Sequence, residues 1–228
     1  MMYLSRLTLN ARNPAVRRAK ADCRSMHRAI MSAFPAADGR PRVDHGVLYR
    51  VEDPPKGGPL TVLVQSKAKP DWTRLPASYL DSGHPPAVKS VEASHAALAP
   101  GMVLHFRLRA NPTRKVDTKT GADGLRRNGR RKKLHSEEEQ ISWLAHKASA
   151  CGFTLLDVRR MNEPAAVGRS DPNTDGSAEV GVFFGSVLFD GVLRVTDADV
   201  FREALSNGIG PGKAFGYGLL SLAPFARG

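Results

Sequence analysis

Seven histidines are the residues of this chain best suited to proton transfer near neutral pH, where imidazole titrates. Of these, only His27 lies in a segment that combines helical spacing with several cations. It directly follows the apolar Met26 and is expected to share a helical face with Lys20 and Arg24, which should lower its pKa. A lone histidine at a helix margin is more often structural than catalytic, so the pattern alone leaves both interpretations open.

A second candidate for chemistry is the glycine-rich segment at residues 208–218. It is not a nucleotide-hydrolysing P-loop, because Asn207 and Ala214 stand where that motif needs glycine and serine or threonine, and because a strand follows it. The alternative to a ligand-binding loop is a tight turn packed against a neighbouring domain. If the segment binds a phosphate chain, Gly210 and Gly212 would let backbone N–H groups approach it closely, and Lys213 would add positive charge.

The sequence contains no recognisable metal-binding or disulfide motif. Its two cysteines, Cys23 and Cys151, lie far apart, and neither has the spacing to another cysteine or to a histidine that a zinc site requires. We therefore expect no metal, no cofactor and a reducing, cytoplasmic location. Residues 1–10 alternate apolar and polar side chains and include Arg6, which argues against a signal peptide, and no run of 18 apolar residues is present to span a membrane.

The charge of the chain points to a polyanionic partner. The 228 residues carry 34 Lys and Arg against 22 Asp and Glu, a net charge of +12. Nearly all of this excess lies in two segments, 12–28 and 114–135, which contribute +5 and +7. Such clustering is typical of a surface that follows a phosphate backbone, and a solvated charged loop is the alternative. With 41% hydrophobic and 25% charged residues, the chain can still bury a core, which excludes wholesale disorder.

The elements that must position these residues follow one order twice. In the first half, apolar residues at every second position predict strands, and apolar residues three or four positions apart predict helices. The predicted order is a strand at 3–9, a helix from Pro14 to Ile30, strands at 47–52 and 61–65, a short helix within 71–80 and a last strand at 87–91. The Pro100-Gly101 break then marks a boundary between domains at residues 1–99 and 100–228.

The second half repeats this order. The strand at 102–110 places Arg107 and Arg109 on its outward face, and Ser136 with Glu139 forms a capping box at the start of a helix that Gly152 ends. Strands at 153–159, 179–184 and 187–195, a helix capped by Thr196, and a strand at 219–222 complete the unit. Two tandem βαββαβ units predict an α+β fold of two ferredoxin-like, RRM-like domains, each with an antiparallel sheet and helices on one face.

Three segments resemble the CasE (Cse3) family, the CRISPR-associated endoribonucleases of the type I-E Cascade complex within the RAMP superfamily. They are residues 2–10, residues 106–112, and residues 208–224 with the terminal sequence Gly-Leu-Leu-Ser-Leu-Ala-Pro. The resemblance spans nearly the whole chain. It implies two ferredoxin-like domains, recognition of a CRISPR repeat RNA stem-loop, one metal-independent cut at its 3′ base, and retention of the product with other Cascade subunits.

The resemblance also places a catalytic histidine at His27, within Met26-His27-Arg28. Metal-free RNA cleavage needs groups that move protons and cations that stabilise a crowded phosphorane. Some family members carry a tyrosine three residues before this histidine, where this chain has Arg24, so we expect Arg24 to stabilise charge instead. This departure keeps a non-catalytic RNA-binding subunit on the same fold as the alternative function. Cys23 is expected in the core.

The residues expected to bind RNA are cations in three regions and the glycine-rich segment. The long basic stretch should order only on RNA binding, and Arg159, Arg160 and Arg169 flank a hairpin-like insertion that in the family resembles a groove-binding element. The full set is Arg17, Arg18, Lys20, Arg28, Arg107, Arg109, Arg126, Arg127, Arg130, Arg131, Lys132, Lys133, Arg159, Arg160, Arg169, Gly210, Gly212 and Lys213. With only 7% aromatic residues and no aromatic pair on a central strand, recognition should depend on stem shape and phosphates.

Overall fold

The computed structural model describes residues 1–36, 39–52, 58–116, 130–168 and 182–225. Their elements are, in chain order, β1 Tyr3–Leu9, α1 Pro14–Ala21, α2 Cys23–Met31, α3 Pro41–Asp44, β2 Leu48–Glu52, β3 Leu60–Ser66, β4 Ala87–Ser90, α4 Glu92–Ala96, β5 Val103–Ala110, β6 Thr113–Val116, β7 Arg130–Lys133, α5 Glu137–Ala150, β8 Phe153–Gly168, β9 Val182–Val195, α6 Ala198–Asn207 and β10 Leu220–Pro224. Short 3₁₀ helices lie at Trp72–Arg74 and Lys213–Phe215.

Two four-stranded antiparallel sheets confirm the predicted fold class. The first has the order β2-β3-β1-β4 and the second the order β10-β5-β9-β8. Both are the 4-1-3-2 order of a ferredoxin-like βαββαβ unit, in which each strand pairs only with antiparallel neighbours. Helices cover one face of each sheet, α1 and α2 over the first and α5 and α6 over the second. Each sheet takes all its strands from one side of residue 100, where the predicted domain boundary remains a prediction.

The first half differs from the sequence prediction in its helices. The helix expected from Pro14 to Ile30 is two helices, because Asp22 has an extended backbone between them and caps α2. Its carboxylate accepts hydrogen bonds from the N–H groups of Arg24 and Ser25, at 3.2 and 3.1 Å. The helix expected within 71–80 is only a three-residue 3₁₀ helix.

The second half differs in the length of its hairpin. Two strands were predicted at 179–184 and 187–195, but β9 runs unbroken from Val182 to Val195, and β8 continues to Gly168 instead of ending near residue 159. The helix α6 is capped by Asp197 and not by Thr196. The predicted capping box of Ser136 and Glu139 is confirmed, with the Glu139 N–H 3.1 Å from the Ser136 Oγ.

Buried polar side chains join the two sheets. Arg50 on β2, with 3% of its side chain exposed, donates hydrogen bonds to the carbonyl oxygens of Arg107 and Leu219 at 3.0 and 3.1 Å. It also donates to the Ser221 hydroxyl at 2.8 Å. Gln65 on β3 donates to the carbonyl oxygen of Leu205, near the end of α6, at 2.7 Å. These bonds fix how the two halves meet, since breaking any of them would leave buried polar groups unpaired.

Candidate active site

The position of His27 follows from how α2 packs. Cys23, Met26 and Ile30 form the buried stripe of this helix, and His27 lies at its margin, half-buried. Because the chain breaks at Asp22, Lys20 belongs to α1 and does not continue the face of α2 that carries His27. The predicted grouping of Lys20 with His27 on one helical face is therefore wrong.

The glycine-rich segment between α6 and β10 meets His27. The rings of His27 and Phe215 are in edge contact, with centroids 6.1 Å apart and planes at 65°. The backbone of Ala214 acts on the His27 imidazole and raises its pKa. The same residue's carbonyl oxygen accepts a hydrogen bond from the hydroxyl of Tyr49, on β2, at 3.2 Å. The candidate site therefore combines residues from both halves of the chain.

This approach of the loop to β2 depends on Gly216. Its φ of +87° lies in the left-handed region, and a Cβ there would stand 3.1 Å from the ring of Tyr49. Gly210 and Gly212 also have their α-carbons against aromatic rings, those of Trp143 and Tyr217. Their packing favours the tight-turn interpretation of these glycines over close approach to a phosphate chain.

The pKa of His27 is lowered, as expected from the sequence, but the causes differ from those expected. Burial of the imidazole is the main cause, and the positive charge of Arg42 is the second. The backbone of Ala214 acts in the opposite direction, as a hydrogen-bonding influence that raises the pKa. Lys20 and Arg24 were predicted to supply the effect, and the structure assigns it to burial and Arg42 instead.

Arg42 is a charged residue of this site that sequence reasoning missed. It lies in α3, a four-residue helix in a segment without a periodic pattern, and its guanidinium donates to the carbonyl oxygen of Val47 at 3.2 Å. Its charge also lowers the pKa of Lys213, for which burial is the larger cause. The Arg-Pro-Arg sequence at residues 40–42 was the only available signal, and it specifies no partner.

Arg24 lies in the first turn of α2, where β8 crosses it. A Cβ added to Gly168 would stand 3.2 Å from the Cys23 Sγ and 3.3 Å from the Arg24 Nε. Because Gly168 has no side chain, the end of β8 can pack against the half-buried Arg24. Cys23 is buried, as expected, and burial raises the pKa of its thiol to about 11.

Several arginines expected to bind RNA form ion pairs within the protein. Arg107 contacts Asp190 at 2.6 and 2.8 Å, and Arg160 contacts Glu137 at 2.9 Å. Arg109 was predicted to face outward beside Arg107, but only 12% of its side chain is exposed. It contacts Glu163 at 2.7 Å and lies 5.5 Å over the ring of Tyr217, because β8 and the glycine-rich segment cover that position of β5.

Other predicted RNA-binding residues lie on exposed surfaces. Arg17, Arg18 and Lys20 are exposed on α1, Arg28 on α2 and Arg159 on β8. The basic stretch was expected to be poorly ordered or low in contacts from 113 to 134. Its two ends pair as the hairpin β6–β7, whose Arg131, Lys132 and Lys133 are exposed, and residues 117–129 lie outside the described residues. Arg130 lies on β7. Arg126, Arg127 and Arg169 lie outside the described residues.

A group of three further aromatic rings lies beside His27. Phe184 on β9 lies 4.9 Å from Phe215, with planes at 34°, and 5.9 Å from Tyr217. Phe184 and Phe215 are half-buried, whereas Tyr217 is buried. Sequence reasoning found no such group, because its members lie about 30 residues apart and come together only where β9 meets the glycine-rich segment.

Within the described ranges, no three His, Cys, Asp or Glu side chains lie close enough together to hold a metal ion. None of the helices that the structure describes is long and apolar enough to cross a membrane.

Comparison with known proteins places the chain among relatives over its full length. The profile of the CRISPR associated protein family matches residues 2–224. The chain is 36% identical to the CRISPR-associated endoribonuclease Cse3 of Thermus thermophilus and 32% identical to the CRISPR system Cascade subunit CasE of Escherichia coli, in each case over 98% of this chain and 100% of the relative. It also resembles T. thermophilus Cse3 solved with an RNA representing a pre-cleavage complex, with a TM-score of 0.75 and 31% identity over 98% of this chain and 99% of that one.

Proposed function

The chain belongs to the CRISPR-associated protein family that includes Cse3 and CasE, and from this membership we propose that it is an endoribonuclease acting on CRISPR precursor RNA. It cuts once, at the 3′ base of the repeat stem-loop, and stays with the RNA in a Cascade complex. Two comparisons support this activity: the 36% sequence identity to an endoribonuclease over 98% of this chain, and the similarity to a structure solved with bound RNA. The net charge of +12 suits an RNA partner.

The reaction that fits these residues uses the RNA's own 2′-hydroxyl as the nucleophile. Its oxygen forms a bond to phosphorus as the bond from phosphorus to the 5′ oxygen breaks. The 2′-hydroxyl loses a proton and the 5′ oxygen gains one, which gives a 2′,3′-cyclic phosphate and a 5′-hydroxyl. This path needs a proton acceptor for the 2′-hydroxyl, a proton donor for the 5′ oxygen, which solvent water can be, and positive charge at the phosphorane, and it needs no metal ion.

His27 is the proton acceptor in this proposal. The observation that carries the assignment is the junction where α2 places His27 against Ala214 and Phe215 of the glycine-rich segment. Burial and Arg42 lower the pKa of His27, so the imidazole is mostly neutral at pH 7 and can accept a proton.

Three cations can stabilise the charge that develops on the phosphorane. Arg42 acts electrostatically on both His27 and Lys213, which places all three in one electrostatic environment. Arg24 is in the first turn of the same helix as His27, where β8 confines it. An arginine stays charged at any working pH, which suits Arg24 and Arg42 to charge stabilisation and not to proton transfer.

RNA binding outside the cut site is assigned to the exposed cations of α1, Arg28, Arg159 and the hairpin β6–β7. Arg107, Arg109 and Arg160 are weaker candidates, because carboxylates already neutralise them. Recognition of the stem by shape and phosphates is consistent with this distribution, since cations contact a backbone without reading its sequence. The other Cascade subunits are the proposed protein partners.

The test is single-turnover cleavage of the host's repeat RNA by His27→Ala in EDTA. We expect the rate to fall by roughly 10²- to 10⁴-fold while RNA affinity changes by no more than about threefold, the pattern of a lost general base. The control is His105→Ala, which removes an exposed histidine beside Phe225. A 2′-deoxy scissile nucleotide should abolish cleavage by the wild type. Normal cleavage by His27→Ala, or a 3′-hydroxyl product made only with magnesium, would contradict the proposal.

A non-catalytic RNA-binding subunit is the second candidate, and one observation favours it. Arg24 occupies the position three residues before His27 where the resemblance to the family leads us to expect a tyrosine in some members. The same assay separates the two functions, because a binding subunit would retain the repeat RNA at full affinity and leave it uncut in every buffer.

A further inference from the structure

Two aromatic rings beside His27 have no role in the proposed proton transfers. Phe215 contacts His27 by an edge and Phe184 in a tilted arrangement with planes at 34°, and both rings are half-buried beside the candidate site. We propose that Phe215 and Phe184 form a stacking platform for an unpaired nucleobase next to the scissile phosphate. This inference rests on the proposed RNA cleavage and assigns a ligand class, the face of a nucleobase, to a surface next to that reaction.

The backbone around Phe215 is built to hold its ring still. Phe215 ends the 3₁₀ helix Lys213–Phe215, and the glycines on either side, Gly212 and Gly216, have φ of +85° and +87°. The ring of Tyr49 packs directly against the α-carbon of Gly216, which leaves the loop little room to shift. A platform ordered before its ligand arrives loses little conformational entropy on binding.

The second ring comes from a different part of the fold. Phe184 lies near the start of β9, and Tyr217 supports it from the buried side at 5.9 Å. A core contact alone would bury both phenylalanines as fully as it buries Tyr217, whose exposure is 0%. Half-exposed apolar rings beside a candidate catalytic histidine are instead typical of a surface completed by a ligand.

The proposed reaction supplies such a ligand. In a stacked A-form strand the 2′-oxygen is not in line with the 5′ leaving oxygen, so in-line attack requires a nucleotide beside the scissile phosphate to rotate out of the stack. An unstacked base loses its stacking energy unless another flat apolar surface receives it. Phenylalanine rings next to His27 can receive the base while its phosphate stays at the imidazole, and they do so without selecting its identity, because phenylalanine has no hydrogen-bonding group.

The experiment is a cycle that removes the base and the ring separately. Binding is measured in EDTA with repeat RNA made uncleavable by a 2′-deoxy scissile nucleotide, either intact or abasic on the 5′ or the 3′ side of the scissile phosphate. We expect base removal at one of these positions to weaken binding to the wild type by roughly 5- to 100-fold. The Phe215→Leu variant should bind intact RNA about as weakly as the wild type binds the abasic RNA. Base removal should weaken binding to this variant by less than about a further twofold.

Three arms keep the result interpretable. Phe215→Tyr keeps the ring and should behave as the wild type, and Phe225→Leu, which removes a 38% exposed ring packed on His105, should keep the full response to base removal. The same binding cycle in a His27→Ala background should give the same coupling, so it tests the platform even if His27 is not the catalytic group. Equal effects of base removal on the wild type and Phe215→Leu at both positions would overturn the proposal.

Discussion

Removing the hydroxyl of Tyr49 should slow cleavage without weakening RNA binding. This side chain is 2% exposed and donates to the carbonyl oxygen of Ala214 at 3.2 Å, and the backbone of Ala214 in turn raises the pKa of His27. Burial raises the pKa of Tyr49 well above its usual value, so the hydroxyl keeps its proton at any working pH. In Tyr49→Phe the ring still fills its place and only this hydrogen bond is lost.

The size of the effect follows from the worth of one hydrogen bond. A net contribution of about 0.5–1.5 kcal/mol corresponds to a rate decrease of roughly 2- to 13-fold if the bond serves to place Ala214 beside His27. The free energy of unfolding should fall by a similar amount. RNA affinity should stay within about twofold, because Tyr49 is too deeply buried to contact RNA.

The pH dependence separates a positioning role from a general loss of stability. The backbone of Ala214 raises the pKa of His27, so a looser loop should lower that pKa. A base with a lower pKa stays neutral to lower pH. In Tyr49→Phe the acid limb of the pH profile of kcat/KM should therefore move to lower pH. A merely destabilised enzyme would lose rate equally across the pH range.

Tyr79→Phe is the matched control. Tyr79 is also buried, at 3% exposed, but among the described residues its hydroxyl donates to the sulfur of Met26, at 3.9 Å, and not to a residue of the glycine-rich segment. We expect a rate within about twofold of the wild type and an unmoved acid limb. If Tyr49→Phe matches Tyr79→Phe in both rate and pH profile, the Tyr49–Ala214 hydrogen bond does not position His27.

Three further predictions concern charge and packing. Arg42→Gln removes a charge that lowers the pKa of His27, so the acid limb of kcat/KM should move to higher pH, and an unmoved limb would contradict that influence. Neutralising Arg130–Lys133 should reduce the salt dependence of RNA binding by roughly 0.7–0.9 log units per lost phosphate contact, whereas Arg107→Gln should change it little because an ion pair already neutralises Arg107. Gly168→Ala should displace Arg24 and slow cleavage by about 2- to 10-fold, a defect that should shrink in an Arg24→Ala background.

Local sequence patterns were sufficient to predict the fold. Alternation along β5 gave the buried face of Leu104, Phe106, Leu108 and Ala110, and the Ser136 capping box gave the start of α5. These signals act between residues close in sequence, so the sequence displays them directly. The break at Asp22 was missed because apolar residues keep helical spacing across it, from Ala19 to Cys23, although Asp22 is itself a favoured N-cap residue.

The long hairpin β8–β9 was misjudged for a different reason. Gly185 and Ser186 read as a turn between two strands, but both lie inside β9. The stem of Lys133 crosses Gly185, where a Cβ would stand within 2.7 Å of two of its carbons, and the Ser186 hydroxyl accepts a hydrogen bond from Arg109. A glycine that makes room for a neighbouring chain segment has the same sequence signature as one that makes a turn.

The environment of His27 could not be predicted, although the residue itself could. The sequence and its family resemblance singled out His27, but the neighbours that set its pKa are Arg42, 15 positions away, and Ala214, in the other half of the chain. Helical spacing suggested Lys20 and Arg24 because it gives only local neighbours. Alternation placed Arg109 with Arg107 for the same reason, and could not show that the glycine-rich segment covers Arg109.

A site assembled from two halves depends on whatever holds the halves in register, and β2 supplies that contact beside the site. Tyr49 reaches Ala214, while the next residue, Arg50, reaches the backbone of β5 and the residue before β10. Burying a guanidinium is costly unless its donors are satisfied, and burial does lower the pKa of Arg50. Two carbonyls, the Ser221 hydroxyl and Glu52 satisfy those donors only when the two sheets keep this alignment. The same alignment keeps Ala214 at His27, so the packing between the halves also sets the geometry of the proposed reaction.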